Sequence, residues 1–243
     1  MQLLSPQSFG RILAALLLAP SAINLCLAAP QPLGTVEGSA ALAAREDTSK
    51  LKDFKKEMDK TDVKVTQDKT DFVDLSSNKQ KSISSRGFNQ CFGIVLATKK
   101  GAAVGHYTCG ATGKANAKRD LGAFWDKHKG DKLKDPKVYI YAKVKVDDDH
   151  KIQEGTFENA NDLDAFKKIL KDDLHISQTP EVVKYIDVEA VVVDKGKERD
   201  GFDQKTADAY SHYAGFYVKK GLLGGLEVKF MTLDMQKDSY KKK

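Results

Sequence analysis

Two apolar runs, Phe92 to Thr98 and Ala102 to Thr108, flank Lys99-Lys100-Gly101, and neither run carries a regular polar face. A strand with one wet face alternates apolar and polar residues, so runs like these need cover on both sides. The pair therefore reads as a hairpin of central strands, and any fold containing it must be layered.

The rest of the chain supplies the layers. Leu121, Phe124, Trp125 and His128 recur at i, i+3, i+4 and i+7, which predicts a helix over 116–128 with Gly130 as its stop. Val138, Ile140, Ala142, Val144 and Val146 alternate with Tyr139, Tyr141, Lys143 and Lys145, which predicts a strand with one face inward and one wet. Asn161 caps a second helix carrying Leu163, Phe166, Ile169, Leu170 and Leu174, ended before Pro180. Val182 to Val193 is rich in β-branched residues, and 213–218 and 226–233 flank Gly224-Gly225 as a final hairpin. Strands and helices do not alternate regularly enough for a doubly wound parallel sheet. The expected class is α+β, a layered domain on a largely antiparallel sheet with flanking helices.

The N-terminal region differs in character. Arg11, an apolar run from Ile12 to Ala19, then Pro20 and a small-residue cluster at Cys26-Leu27-Ala28-Ala29 follow the order of a secretory signal, with cleavage expected after Ala28. Residues 29–85 are Ala-rich, then highly charged with few large apolar residues, which predicts a mostly disordered arm or pro-segment. Leu51, Phe54 and Met58 nevertheless fall at helical spacing. A single domain is expected over 86–236, with a basic tail at 237–243. The expected location is secreted and extracellular, without stable membrane insertion once the signal is removed.

The net charge is +6, from 40 basic and 34 acidic residues, yet only 5 of the basic residues are Arg and the lysines are interleaved with Asp and Glu. This predicts a solvated surface rather than nucleic-acid binding. No metal, nucleotide or redox motif is present, so no cofactor is expected. Asp147-Asp148-Asp149-His150 reads as a solvated turn, Trp125 and His128 as a helix core face, and Tyr210, His212, Tyr213, Phe216 and Tyr217 as core aromatics. Lys118-Arg119 is a dibasic pair that a helix would shield.

Removal of Cys26 with the signal would leave Cys91 and Cys109, an even pair suited to an oxidising compartment. Cys91 opens the first strand of the hairpin and His106 lies on the second, so thiol and imidazole are also placed as nucleophile and base. Loop length decides between the two roles. A four-residue loop over 97–100 pairs Cys91 with His106; a three-residue loop over 99–101 pairs Cys91 with Cys109 and turns His106 away. A tight Lys100-Gly101 turn leaves His106 on the face of Cys91 but about 13 Å along the strand.

The segment Gly87-Phe88-Asn89-Gln90-Cys91-Phe92-Gly93-Ile94-Val95, followed by Lys99-Lys100-Gly101 and Gly105-His106, resembles the Cys/His core of glutamine deamidase-like toxins and effectors. That group includes the catalytic domain of cytotoxic necrotizing factors and the chemotaxis receptor deamidases, and the pattern is also similar to secreted fungal proteins of unknown activity. The resemblance spans Gly87 to Thr108; Asn89-Gln90 stands where the toxins carry a small, Gly-rich lead. It implies a protein substrate or host protein, Cys91 as nucleophile on a glutamine side-chain amide, and His106 as its base. Ser84 or Ser85 is the candidate for orienting the imidazole. The alternative is a non-catalytic secreted binding or effector module with Cys91–Cys109 as a structural disulfide.

Overall fold

The computed structural model describes residues 48–77, 81–147, 151–186, 214–221 and 223–232. The signal segment, the basic tail, most of the Val182–Val193 run and Tyr210, His212 and Tyr213 lie outside the described residues.

Two sheets stack face to face. The first has four strands, β1 (Val63–Val65), β3 (Ser82–Arg86), β9 (Gly215–Lys220) and β10 (Leu226–Phe230), in the order β1-β3-β9-β10. The second has six: β2 (Lys69–Asp74), β5 (Gly101–Tyr107), β4 (Phe92–Ala97), β6 (Lys137–Val146) and β7 (Ile152–Phe157) in that order, with β8 (Glu181–Tyr185) also on β6. Among the described residues, β1 with β3 and β6 with β8 pair in parallel and the other pairings are antiparallel. The fold is α+β, with helices packed outside the stacked sheets.

The hairpin strands β4 and β5 are buried along their whole length because each face meets a different layer. Ile94, Leu96, Ala103 and Tyr107 point outward into a core shared with Leu121, Trp125, Leu163, Phe166 and Leu170 of the helices. Val95, Ala97, Ala102 and Val104 point inward, against Ile83, Phe216 and Val218 of the first sheet. The helical cover runs from α2 (Gly110–Asn116) through one π-helical turn (Ala117–Leu121) to α3 (Gly122–His128), and from α4 (Ala160–Lys168) into a second π-helical turn (Ile169–Asp173). Asp162 joins the two helical segments: its carboxylate accepts from the Gly110 amide and from Lys114 Nζ, both at 2.6 Å.

Three expectations are corrected. The segment before residue 86 is no disordered arm over its described part, since α1 (Thr48–Asp59), β1, β2 and β3 all belong to the domain. Its few apolar residues suffice because nearly all are buried: Val65, Val73, Leu75 and Ile83 enter the intersheet core, while Phe54 and Met58 of α1 seat on Tyr217 and Met231. The domain therefore starts well before residue 86.

Second, β6 has no wet face over its centre. Tyr141 is fully buried under Phe216 and Phe230 of the first sheet and Tyr185 of β8, and Lys143 is nearly so, with its Nζ 3.7 Å from Glu158. The Tyr141 hydroxyl remains satisfied by donating to the Met231 carbonyl at 2.6 Å.

Third, the hairpin turn is none of those considered from sequence. Ala97 pairs with Ala102 and the Thr98 amide donates to the Gly101 carbonyl at 2.8 Å, leaving Lys99 and Lys100 as the two-residue loop.

Candidate functional site

That turn fixes where the cysteines and histidine stand. Gly93 faces His106 and Phe92 faces Tyr107. Continuing this register one step past the ladder would set Cys91 opposite Thr108, with His106 two residues along the same face. Such diagonal neighbours lie about 7–8 Å apart between backbones. Cys109 falls on the opposite face, in the helix-side core, where it precedes the first turn of α2.

The Cys91–Cys109 bridge is accordingly absent. Cys91 is a free, buried thiol. Cys109 is not bonded to Cys91.

His106 sits between the sheets at 2% exposure. Its Nδ1 is 3.0 Å from Ser85 Oγ, across the layer on β3. Ser85 Oγ also donates to the Val65 carbonyl at 2.9 Å. A hydroxyl has one proton. Having given it to Val65, Ser85 can only accept from the imidazole, so Nδ1 carries the hydrogen and Nε2 keeps its lone pair. That Nε2 is buried without a hydrogen-bond partner among the described residues. Of the two serines expected as orienting groups, Ser85 occupies the position; Ser84 points the other way and bonds Thr61 Oγ1 at 2.6 Å. Strand alternation separates them, one facing the imidazole and one facing the outer side of the sheet.

The segment from Gly87 to Cys91 links β3 to β4 and closes the site. Phe88 stacks on the imidazole with centroids 3.9 Å apart and planes 16° off parallel. Gly87 (φ 78°) and Gln90 (φ 63°) both adopt the left-handed region, which lets the segment fold back over the layer. Gly93 accommodates the same packing, since a Cβ there would lie 2.4 Å from Phe216 Cε1 and 3.1 Å from Phe88 Cζ. Cys91 Sγ donates to the Asn89 carbonyl at 3.5 Å, and no hydrogen bond joins it to His106. Tyr185 Oη donates to the Cys91 carbonyl at 2.7 Å and pins the backbone at the head of β4.

Electrostatically both groups rest neutral. Burial pushes the Cys91 thiol up to about 11, with the Asp68 carboxylate acting in the same direction. Burial lowers His106 to about 4, and Asp68 opposes that shift. Both shifts disfavour a standing thiolate–imidazolium pair.

Asp68, Val65 and Tyr185 were not found from sequence. Asp68 and Val65 lie in the segment that reads as an arm, and Tyr185 in a run that reads only as a strand. None carries a spacing signal toward Cys91 or His106.

The remaining candidates take structural places. Asp147 closes its turn by accepting from the Lys151 amide and Gln153 Nε2, while 148–150 lie outside the described residues. Trp125 is in the helix-side core, His128 stacks on Phe72 at 3.9 Å, and Lys118 and Arg119 bond Asp173 and Asp120. Phe216 lies in the intersheet core and Tyr217 under α1. Among the described residues no group of three or more His, Cys, Asp and Glu gathers to hold a metal ion, and no helix is long and apolar enough to cross a membrane.

No protein-family model matches the chain, and no curated protein is detectably similar to it.

Proposed function

We propose that this protein is a thiol-dependent amidohydrolase of the glutamine deamidase-like kind, reaching its protein substrate by the secretory route. The observation that carries the reading is the buried, unpartnered Nε2 of His106, held as a base by Ser85 on the sheet face shared with the free thiol of Cys91. An imidazole nitrogen left without a partner in a buried layer costs roughly 1–3 kcal/mol, a cost that a purely structural histidine would avoid.

In the proposed reaction the Cys91 side chain turns from the Asn89 carbonyl toward Nε2, which takes the thiol proton as sulfur bonds to the carbon of a glutamine side-chain amide. The carbon–nitrogen bond breaks as the imidazolium returns that proton to nitrogen, releasing ammonia and leaving a thioester. Water then gives a proton to Nε2 and its oxygen to the thioester carbon, which restores the thiol and leaves glutamate. The order Cys-before-strand and His-on-the-next-strand matches the deamidase-like resemblance of Gly87–Thr108.

One observation favours a second reading, a non-catalytic secreted module. Cys91 is 5% exposed, and Phe88 covers the imidazole. The test is incubation of the purified full chain with a glutamine-rich unfolded protein, following ammonia release and the amide-to-acid mass change by peptide mass spectrometry. Conversion that disappears in both Cys91→Ser and His106→Ala supports the amidohydrolase. A native thiol that resists alkylation, together with no conversion, supports the module.

A further inference from the structure

We propose that Asp68 sets the charge preference of this site, so that it favours neutral or cationic amide substrates and repels carboxylates, including the acid product of the reaction. The proposal rests on the Cys91/His106 reading and deepens it.

Asp68 sits in the turn before β2, with φ 56°. Its Oδ1 accepts from the Thr108 amide at 3.1 Å and from Thr108 Oγ1 at 2.9 Å. Thr108 follows Tyr107, which pairs with Phe92 beside Cys91, and Lys69, the next residue after Asp68, pairs with His106. The carboxylate is thereby fixed beside both members of the pair, and its field reaches both of them. Asp68 is half-buried and forms no ion pair among the described residues, so its charge is not cancelled locally. The neighbouring Lys69 acts on the Asp120 carboxylate.

Such an arrangement has a chemical consequence for a deamidase. Substrate amide and product acid differ by one charge, formed close to the carboxylate. Asp68 does not oppose entry of the amide and does oppose retention of the acid. A basic group on the substrate would be drawn in.

The structure of the turn makes a clean test possible. Asp68→Asn keeps an Oδ1 acceptor for Thr108 and tolerates the left-handed backbone as well as Asp does, so it removes charge without removing the anchor. Reaction of Cys91 in the full chain would be timed with two methanethiosulfonates of opposite charge, the 2-aminoethyl and the 2-sulfonatoethyl reagents, each relative to its rate with free cysteine. The cationic reagent is expected to be favoured on the order of tenfold, less at high salt, with that preference lost in Asp68→Asn. An unchanged preference in Asp68→Asn, or none in the wild type, overturns the role of Asp68 while leaving Cys91 reactive. Failure of Cys91 to react with either reagent overturns the underlying thiol reading, and this proposal with it.

Discussion

Ser85 and His106 are joined across two sheets by one hydrogen bond of 3.0 Å whose direction is fixed by a third group, the Val65 carbonyl. Replacing Ser85 with Ala removes the acceptor for Nδ1–H and strands the Val65 carbonyl. The expected loss is about 1–3 kcal/mol of stability, read from urea unfolding. Nitrogen NMR of the imidazole should also show the single Nδ1–H tautomer of the wild type replaced by a mixture.

His106 gives the fold a pH dependence of definite sign. Its folded value is lowered to about 4 from 6.5, so between these limits the unfolded chain binds more protons. Its contribution is fully present above pH 6.5 and is lost as pH falls toward 4, a change of about 3 kcal/mol. Urea midpoints at pH 7.5 and 4.5 should differ in the wild type by more than in His106→Gln.

Cys91 should behave as a weakly acidic thiol. With its value raised from 9.0 to about 11, alkylation is expected to keep rising through pH 10. At pH 7 the native thiolate fraction should be roughly a hundredfold below that of the unfolded chain. A stopped-flow pH profile that levels off below pH 8 would contradict this environment.

Gly93→Ala places a methyl against Phe216 and Phe88 in the layer that holds the imidazole. The expected cost is about 1–3 kcal/mol or more, seen as a lowered Tm. The Phe88–His106 stack should be displaced with it, seen as a shift of the imidazole carbon-bound proton resonances.

Ile83→Ala tests whether the early segment belongs to the domain. Ile83 is fully buried between the sheets, so the loss should be about 2–5 kcal/mol in the cooperative transition of the whole domain. A disordered arm would show none.

What could be read from sequence follows from periodicity. The hairpin, the face of α3, β6 and the β9–β10 hairpin all carry runs long enough to reveal their elements. β3 does not, because Ser82-Ile83-Ser84-Ser85-Arg86 buries two serines whose hydroxyls are satisfied by Thr61, Val65 and His106 rather than by water. Composition cannot distinguish such serines from solvated ones. The turn lies one residue before the tight Lys100-Gly101 turn because Lys99, Lys100 and Gly101 all suit a tight loop, and that shift keeps His106 on the face of Cys91 while bringing it from four residues to two along the strand. Cys91 and His106 were visible as residue types in a pattern. Ser85 was visible only through resemblance, and Asp68 not at all, since its partner Thr108 lies forty positions away.

The anchoring of the imidazole on a strand of the opposite sheet reaches beyond the site itself. Val65 and Ser85 belong to one sheet and His106 to the other, so the proton on Nδ1 has a defined home only once the two sheets have docked. A chain with only one sheet formed still has a thiol and an imidazole, but nothing decides which nitrogen is the base. The tautomer of a single ring therefore reports on whether the sandwich has closed.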